Sequence, residues 1–179
     1  MKKTIITILL ALVSLASCSS DPQWADEEAH EKTEQLRKQY TPIIAGTWHV
    51  EYIKDKGRFF ERLTFSADGT FTGMRKWQTR KLVTIDDKEQ YTDWEDVELS
   101  GTFTGTWQLR YWSPEGNSGE KRNCLQLTAT YDEERDYMAY SCALTFAYAD
   151  ATTLRIQGYY VKAPDGWINY QRGPSEPSF

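Results

Sequence analysis

Apolar and polar residues alternate in short segments over most of the chain, beginning at Gly46. In the first segment, 46–54, Trp48, Val50 and Tyr52 point to one side and polar residues to the other, which is the period of a β-strand with one buried face. Turn sequences such as Ala67-Asp68-Gly69 separate the segments. The other predicted strands are 58–66, 70–77, 80–85, 102–112, 123–131, 137–148, 152–161 and 167–171.

About eight or nine closely spaced strands with no helix between them predict an all-β domain over residues 46–173, either an antiparallel sandwich or a closed barrel. Sequential hairpins favour closure, because a closed sheet has no exposed edges. We therefore predict an antiparallel up-and-down barrel of about eight strands. The polar stretch 86–100 and the Pro- and Gly-containing stretch 113–119 are predicted to be loops, and 174–179 a C-terminal tail.

A polar helix is predicted ahead of the barrel, over residues 19–39. Asp21 is its predicted N-cap with Pro22 at the first helical position, and Pro42 ends the pattern. Such a helix is predicted to be a solvated spacer, at most lightly docked on the barrel, because its apolar stripe is thin. The stripe consists of Ala25, Ala29, Leu36 and Tyr40.

The first residues have the pattern of an export signal, with basic Lys2-Lys3 followed by the apolar stretch 5–16. That stretch falls short of the roughly 20 apolar residues needed to span a bilayer. It ends in Leu15-Ala16-Ser17-Cys18, which resembles the lipobox of bacterial lipoproteins. The resemblance implies a signal peptide over 1–17 and a lipidated Cys18 followed by a spacer over 18–45.

Acyl chains on Cys18 would hold the protein on a membrane of the cell envelope, which we expect to be the outer membrane, at either its periplasmic face or the cell surface. The alternative is an ordinary cleaved signal that contains a cysteine. Charge, apolar length, small residues and Cys18 all stand in register, which favours the lipoprotein.

Charge and motif content limit the possible functions. Cleavage before Cys18 would leave 19 of the 21 basic residues against 26 acidic ones, a net charge of −7, which argues against binding of nucleic acid. His30 and His49 are the only histidines, and phosphate-loop, His-Glu-x-x-His and Cys-x-x-Cys patterns are absent. His49 shares a strand face with Glu51, a spacing that would suit a metal or a proton relay, but an outward polar face is favoured. We expect no catalysis, no cofactor and no metal.

Cys124 and Cys142 present two conflicting signals. An even pair of cysteines in an oxidising compartment suggests a disulfide, and a symmetric hairpin centred on Glu133 would set them opposite each other. The apolar alternation instead points Cys142 inward and Cys124 outward, and a regular hairpin cannot satisfy both. The alternation favours free thiols, and a disulfide made possible by a β-bulge remains the alternative.

The segment Gly46-Thr47-Trp48 resembles the Gly-x-Trp start of lipocalin-like, or calycin, barrels. These barrels carry a basic residue near their end that packs over the tryptophan ring, and Arg172 occupies that place. The resemblance covers 46–173 and implies that Arg172, stacked on Trp48 and bonded to nearby carbonyls, closes the barrel base. The C-terminal helix of the classical family is missing, which favours a small bacterial lipocalin-like branch.

The side chains at inward positions determine whether the barrel is hollow or filled. Eight-stranded barrels are either filled or hold one small ligand, and the sequence is compatible with both. The predicted inward residues are Val50, Tyr52, Leu63, Phe65, Phe71, Trp77, Leu109, Tyr111, Leu127, Tyr140, Leu144, Phe146, Leu154 and Ile156. The candidate ligand-binding residues among them are Tyr52, Phe65, Phe71, Trp77, Tyr111, Tyr140 and Phe146.

Two functions follow from these patterns. The first is an envelope lipoprotein whose barrel binds a small hydrophobic or aromatic ligand. The alternative is a filled barrel that serves as a structural, protein-interaction or glycan-contacting module of the envelope. In that alternative Trp94, Trp112 and Trp167 would act as anchors for an envelope partner.

Overall fold

The computed structural model describes residues 26–114, 119–160 and 165–179. One helix, α1 (Glu27–Ile44), precedes the strands. The strands are β1 (Gly46–Lys54), β2 (Gly57–Phe65), β3 (Thr70–Thr79), β4 (Leu82–Ile85), β5 (Lys88–Tyr91), β6 (Glu95–Asp96), β7 (Gly101–Trp112), β8 (Arg122–Tyr131), β9 (Tyr140–Ala149), β10 (Thr153–Gln157) and β11 (Trp167–Arg172).

Eight of the strands form a closed antiparallel barrel, which confirms the predicted fold class. Strands β1, β2, β3, β7, β8, β9, β10 and β11 each pair with the next along the chain, and β11 returns to pair with β1. The short strand β6 adds to the end of β3, and β4 and β5 form a separate hairpin.

The alternation places bulky side chains inside the barrel. All of the predicted inward residues except Tyr52, Trp77 and Tyr111 are buried, and these three are half-buried against the same core. Close packing also explains a glycine in β3: a Cβ on Gly73 would lie 2.0 Å from the ring of Phe103, so only glycine leaves room for that ring.

The bounds of helix α1 correct the prediction for this region. The helix begins at Glu27, with the Asp26 side chain accepting a hydrogen bond from the backbone N–H of Ala29. The predicted cap Asp21 lies outside the described residues. Pro42 does not end the helix, because it stands in the last turn, where its missing N–H removes only one backbone bond.

The prediction that the helix is a solvated spacer is wrong. Strand β7 pairs with β3 only over residues 101–106, which leaves a free edge beyond them. Helix α1 covers this edge: Arg37 donates to the carbonyl of Leu109, and Thr33 accepts from the N–H of Tyr111. Leu36 is buried in the core on the same side. Among the described residues, no helix is long and apolar enough to cross a membrane.

Ile44 and Tyr40 complete the contact between helix α1 and the end of the barrel where β1 begins. Ile44 is fully buried, and the Tyr40 ring meets the Phe146 ring edge-on at 4.9 Å. The helix therefore belongs to the folded domain and covers this end, which we call the base.

The stretch predicted as the loop 86–100 contains strands β5 and β6. Asp86 and Asp87 both have positive φ and form the tight turn between β4 and β5. Two other predicted strands are shorter than expected. Strand β9 begins at Tyr140 and β10 ends at Gln157.

Candidate functional site

The base of the barrel is held together by Trp48 and Arg172. Trp48 is fully buried, and the Arg172 guanidinium carbon lies 4.9 Å from the centre of its ring. Arg172 donates to the carbonyls of Ile43 (2.6 Å) and Ala45 (3.0 Å), while Trp48 Nε1 donates to Ile44 (2.7 Å). Three successive carbonyls at the end of helix α1 are thus bonded to the barrel.

Gly46 is required at this junction for two reasons. Its φ of +133° lies in a region that side-chain-bearing residues rarely adopt, and an added Cβ would lie 2.9 Å from Arg172 Nη2. The base is therefore a closed structural junction, and a binding site has to be sought at the other end of the barrel.

A buried ion pair stands inside the barrel between base and opposite end. Glu61 on β2 and Arg75 on β3 are cross-strand partners, and both side chains are completely shielded from solvent. Nε and Nη2 of Arg75 lie 2.8 Å and 2.6 Å from Oε1 of Glu61. The sequence analysis missed this pair, although Glu61 shares its strand face with Phe59 and Leu63.

Three tyrosine hydroxyls and one backbone carbonyl complete the buried ion pair. The Tyr140 hydroxyl lies 2.8 Å from each Glu61 oxygen, and the Tyr170 hydroxyl donates to Oε2 at 2.5 Å. Arg75 Nη1 donates to the Tyr131 hydroxyl (3.1 Å) and to the carbonyl of Leu99 (3.4 Å). Such partners are what buried charges need, because desolvation otherwise makes them costly.

The surroundings of the buried ion pair fix the protonation states of Tyr140, Tyr170 and Arg75. Burial raises the pKa of Tyr140 and Tyr170 well above the usual value, and the Glu61 carboxylate raises it further. Both therefore remain protonated and donate to Glu61. Burial lowers the pKa of Arg75, but the Glu61 charge and the neighbouring tyrosine oxygens raise it by more, so the guanidinium remains charged.

Five aromatic side chains surround the end of the barrel opposite the base, and we call them the aromatic rim: Tyr52, Phe59, Trp77, Tyr159 and Tyr160. Trp77 meets Phe59 edge-on at 5.9 Å and lies 6.5 Å from Tyr160, while Tyr159 and Tyr160 are 4.5 Å apart. Tyr52 and Trp77 are half-buried, and Tyr159 is 48% exposed. The Tyr160 ring lies 3.8 Å from the guanidinium carbon of Arg75 and so covers the buried ion pair.

The seven candidate ligand-binding residues do not form one site. Tyr52 and Trp77 belong to the aromatic rim, and Tyr140 lies beneath it at the buried ion pair. The other four are packed toward the base: Phe65 stacks on Phe71 at 5.4 Å, Phe146 contacts helix α1, and Tyr111 carries the Lys32 ammonium over its ring. Tyr159 and Tyr160 were missed: they fall within the predicted strand 152–161, but the strand ends at Gln157 and both residues lie beyond it.

Cys124 and Cys142 are both free thiols. Cys124 is fully buried but does not belong to the barrel core, and its thiol lies toward the carbonyl of Trp112, whereas Cys142 is partly buried against the core. Their registers differ, since Cys124 stands opposite Thr145 and Cys142 opposite Leu127. Burial raises the pKa of Cys142 to about 12, which makes its thiolate scarce at neutral pH. The predicted lipidation site Cys18 lies outside the described residues.

The face that carries His49 and Glu51 is covered by the C-terminal tail. His49 Nδ1 lies 2.9 Å from the carbonyl oxygen of Gly173, and Glu51 accepts from the backbone N–H and hydroxyl of Ser178. Within residues 26–114, 119–160 and 165–179, no group of three His, Cys, Asp or Glu side chains is placed to hold a metal ion.

Tyr160 should make the protein sensitive to alkaline pH. Burial raises its pKa to about 12, above the usual 10, so the folded state holds the proton more tightly than the unfolded chain. The stability that this provides is complete below pH 10 and lost as pH rises through 12. We expect urea midpoints measured from pH 8 to 12 to fall more steeply for wild type than for Tyr160→Phe. A Tyr148→Phe control, at an exposed position, should follow wild type; equal slopes for all three would contradict the assignment.

Comparisons with known proteins gave no match to this chain among family models, curated proteins or solved structures.

Proposed function

We propose that this chain is a lipid-anchored protein of the cell envelope whose barrel binds one small hydrophobic or aromatic molecule at the aromatic rim. The anchor is supported by the lipobox-like segment Leu15-Ala16-Ser17-Cys18. Binding is supported above all by one observation. The aromatic rim, in which four of the five side chains are at least partly exposed and Phe59 is buried, lies at the end of the barrel opposite helix α1, next to a buried ion pair.

The packing of the barrel explains why the ligand would bind at the rim and not deeper. Between the base and the buried ion pair, rings fill the interior: Phe71 meets Phe103 at 6.2 Å, and Phe103 meets Tyr140 at 5.6 Å. This lower half is a rigid support. The rim combines apolar surface with a few polar atoms, which is the composition of small-molecule sites.

Tryptophan fluorescence tests this proposal, because Trp77 is part of the rim. We expect a saturable change in emission when the protein is titrated with a panel of fatty acids, phenols and aromatic hydrocarbons. Trp77→Phe should remove most of that change, whereas Trp112→Phe should keep it, since Trp112 lies at the far end of β7. If no member of the panel changes the fluorescence or shifts the melting temperature, ligand binding is refuted.

The interaction module receives less support from the structure. Trp94, its principal anchor, has the guanidinium groups of Arg58 and Arg80 each 4.4 Å from its ring centre. The ring is thus already engaged by cations of the protein itself. Trp112 likewise stacks with Arg110 at 4.5 Å, so ligand binding at the rim is the function that we place first.

A further inference from the structure

We infer that the outer face of strands β1, β2 and β3 is a peptide-binding groove, and that an extended segment of a partner protein displaces the C-terminal tail from it. We call this face the outer groove. Its residues are His49, Glu51, Arg58, Phe60, Arg62 and Lys76. The inference goes beyond the proposed function, because none of these residues belongs to the aromatic rim or to the buried ion pair.

The floor of the outer groove is Phe60 on β2. The neighbouring residues Phe59 and Glu61 point into the barrel, so Phe60 points outward, as alternation along a strand requires. Phe60 is nevertheless only 1% exposed, and it does not belong to the barrel core. Its ring is stacked against that of His49 at 6.5 Å. An outward-facing aromatic side chain that is shielded this completely has a cover on the outside of the barrel.

The C-terminal tail supplies that cover. Glu51, Phe60 and Lys76 stand directly opposite one another on the three strands. Glu51 accepts hydrogen bonds from the backbone N–H (2.7 Å) and the hydroxyl (3.0 Å) of Ser178. Lys76 donates to the main-chain oxygen of Phe179 at 2.6 Å. Successive tail residues are thus bonded to the strands on either side of β2, which places the tail across Phe60.

Two arginines of the barrel recognise the acidic and the aromatic side chain of the tail. Arg62 donates to the main-chain oxygen of Ser175 at 3.1 Å and forms an ion pair with Glu176. The Phe179 ring lies 4.7 Å from the guanidinium carbon of Arg58, a distance at which a ring and a cation attract each other. The outer groove thus has one position for an acidic side chain and, three residues later, one for an aromatic side chain.

These contacts define the chemistry of the segment that the outer groove accepts. The groove carries two arginines and one lysine against the single carboxylate of Glu51, on a chain whose net charge is −5. It therefore favours an acidic segment over a basic one. Pro174 and Pro177 fix the backbone of the tail in an extended form, and the remaining bonds go to main-chain atoms. The partner should present an extended segment in which an acidic residue, a proline, any residue and an aromatic residue follow one another.

The contacts of the C-terminal tail are ones that a competing segment can replace. The side chains of the Arg62–Glu176 ion pair are 29% and 74% exposed, and ion pairs at the surface contribute little to stability. Residues 174–179 form neither a helix nor a strand, and segments held in this way open at low free-energy cost. Opening alone would expose the Phe60 ring to water, whereas exchange for another segment keeps it covered. Replacement is therefore favoured over an empty groove.

Fluorescence anisotropy with a labelled peptide tests this inference on the full chain. The peptide has the sequence Gly-Pro-Ser-Glu-Pro-Ser-Phe of residues 173–179, with the label at its N-terminus and an amide at its C-terminus. It is titrated with wild type and with the double variant Glu176→Ala/Phe179→Ala, which we call the tail variant. The tail variant lacks both recognised side chains, and its outer groove is unchanged.

We expect the tail variant to bind the peptide about tenfold or more tightly than wild type does. The reason is that the attached tail of the wild type competes at an effective concentration in the millimolar range. A peptide of the same composition in scrambled order should bind neither protein. If the tail variant does not fold, the single replacement Phe179→Ala gives the same comparison.

Two matched replacements in the tail variant locate the binding to the outer groove. Arg62→Gln should weaken peptide binding by about threefold or more, because it removes a charged donor and the partner of the acidic side chain. Arg155→Gln, on β10, should leave the affinity unchanged. The two arginine side chains are almost equally exposed, at 29% for Arg62 and 28% for Arg155.

Changes in the peptide establish which segments the outer groove accepts. Phe179→Ala in the peptide should weaken binding by about threefold or more, as expected for loss of a partly desolvated cation–π contact. Replacing Ser175 and Ser178 with alanine should change the affinity by about twofold or less, since the main-chain bonds of both residues remain. That pair of results would show that the groove accepts a class of segments and not this one sequence.

Several results would overturn the inference and leave ligand binding at the aromatic rim intact. Without peptide binding by the tail variant, or with equal binding of the scrambled peptide, the outer groove is not a peptide site. Equal affinities of wild type and the tail variant would mean that the tail does not occupy the groove. Loss of binding after the serine replacements would exclude a partner segment of the stated class. A dimeric wild type and a monomeric tail variant in analytical ultracentrifugation would make a second copy the occupant instead of a partner protein.

Discussion

Replacing Glu61 with alanine should lower the free energy of unfolding by about 3–5 kcal/mol, the usual cost of breaking a buried ion pair from one side. The variant leaves the fully buried guanidinium of Arg75 without its counter-charge. It also removes the acceptor of the Tyr140 and Tyr170 hydroxyls, both of which are buried. Urea or guanidinium denaturation followed by circular dichroism measures the change.

A double replacement separates the charge effect from simple loss of packing. Glu61→Leu with Arg75→Met removes both charges and keeps apolar volume, so it should be less destabilising than the sum of the two single replacements. As a surface control, Asp165→Asn breaks the Arg155–Asp165 ion pair, whose side chains are 28% and 58% exposed, and keeps an oxygen for the Trp167 N–H, so it should cost far less than Glu61→Ala. If Glu61→Ala behaved like this control, the buried ion pair would have no structural role.

The barrel was predictable because alternation is a local signal. The spacing of residues such as Leu63, Phe65 and Phe71 predicts which face of each strand points inward, and all three are buried in the structure. The turn sequences between these segments predict that each strand pairs with the next. Closure of the barrel can then be predicted from the general preference for a sheet without exposed edges.

The alternation of apolar and polar residues also predicts that Glu61 and Arg75 face inward, but it does not reveal their hydrogen-bond partners. Glu61 and Arg75 occupy inward positions between apolar neighbours, and a charge at such a position is itself a signal that the sequence analysis overlooked. Tyr140 and Tyr170 stand 79 and 109 residues from Glu61, so only the closed barrel brings them together. Tyr160 was missed for the same reason, because only the folded barrel places its ring over Arg75.

The docking of helix α1 could not be predicted from its own sequence. Its apolar stripe is thin, as in a weakly amphipathic helix, yet Leu36 and Ile44 are buried. Docking is decided by the free edge of β7, where Arg37 bonds to Leu109. That edge exists only because β3 stops pairing with β7 at residue 106, which no pattern within the helix reveals.

Replacing Trp48 with alanine should lower the free energy of unfolding by about 3–5 kcal/mol, as for other buried tryptophans. Trp48 is fully buried, and its loss would remove both the ring under Arg172 and the hydrogen bond to Ile44. Because the same contacts hold the end of helix α1, the variant should also expose that helix to proteolysis before the barrel unfolds. Guanidinium denaturation and limited trypsin digestion measure the two effects.

Trp112→Ala is the matched control, since Trp112 is 38% exposed and stacks with Arg110 at the surface. It should change stability by about 0.5 kcal/mol or less. Arg172→Lys keeps the charge over Trp48 but loses the planar fork that bonds to Ile43 and Ala45, so its cost should fall between the two. A Trp48→Ala protein as stable as Trp112→Ala would show that Trp48 does not hold the barrel base together, and the end at which a ligand binds would then have to be reconsidered.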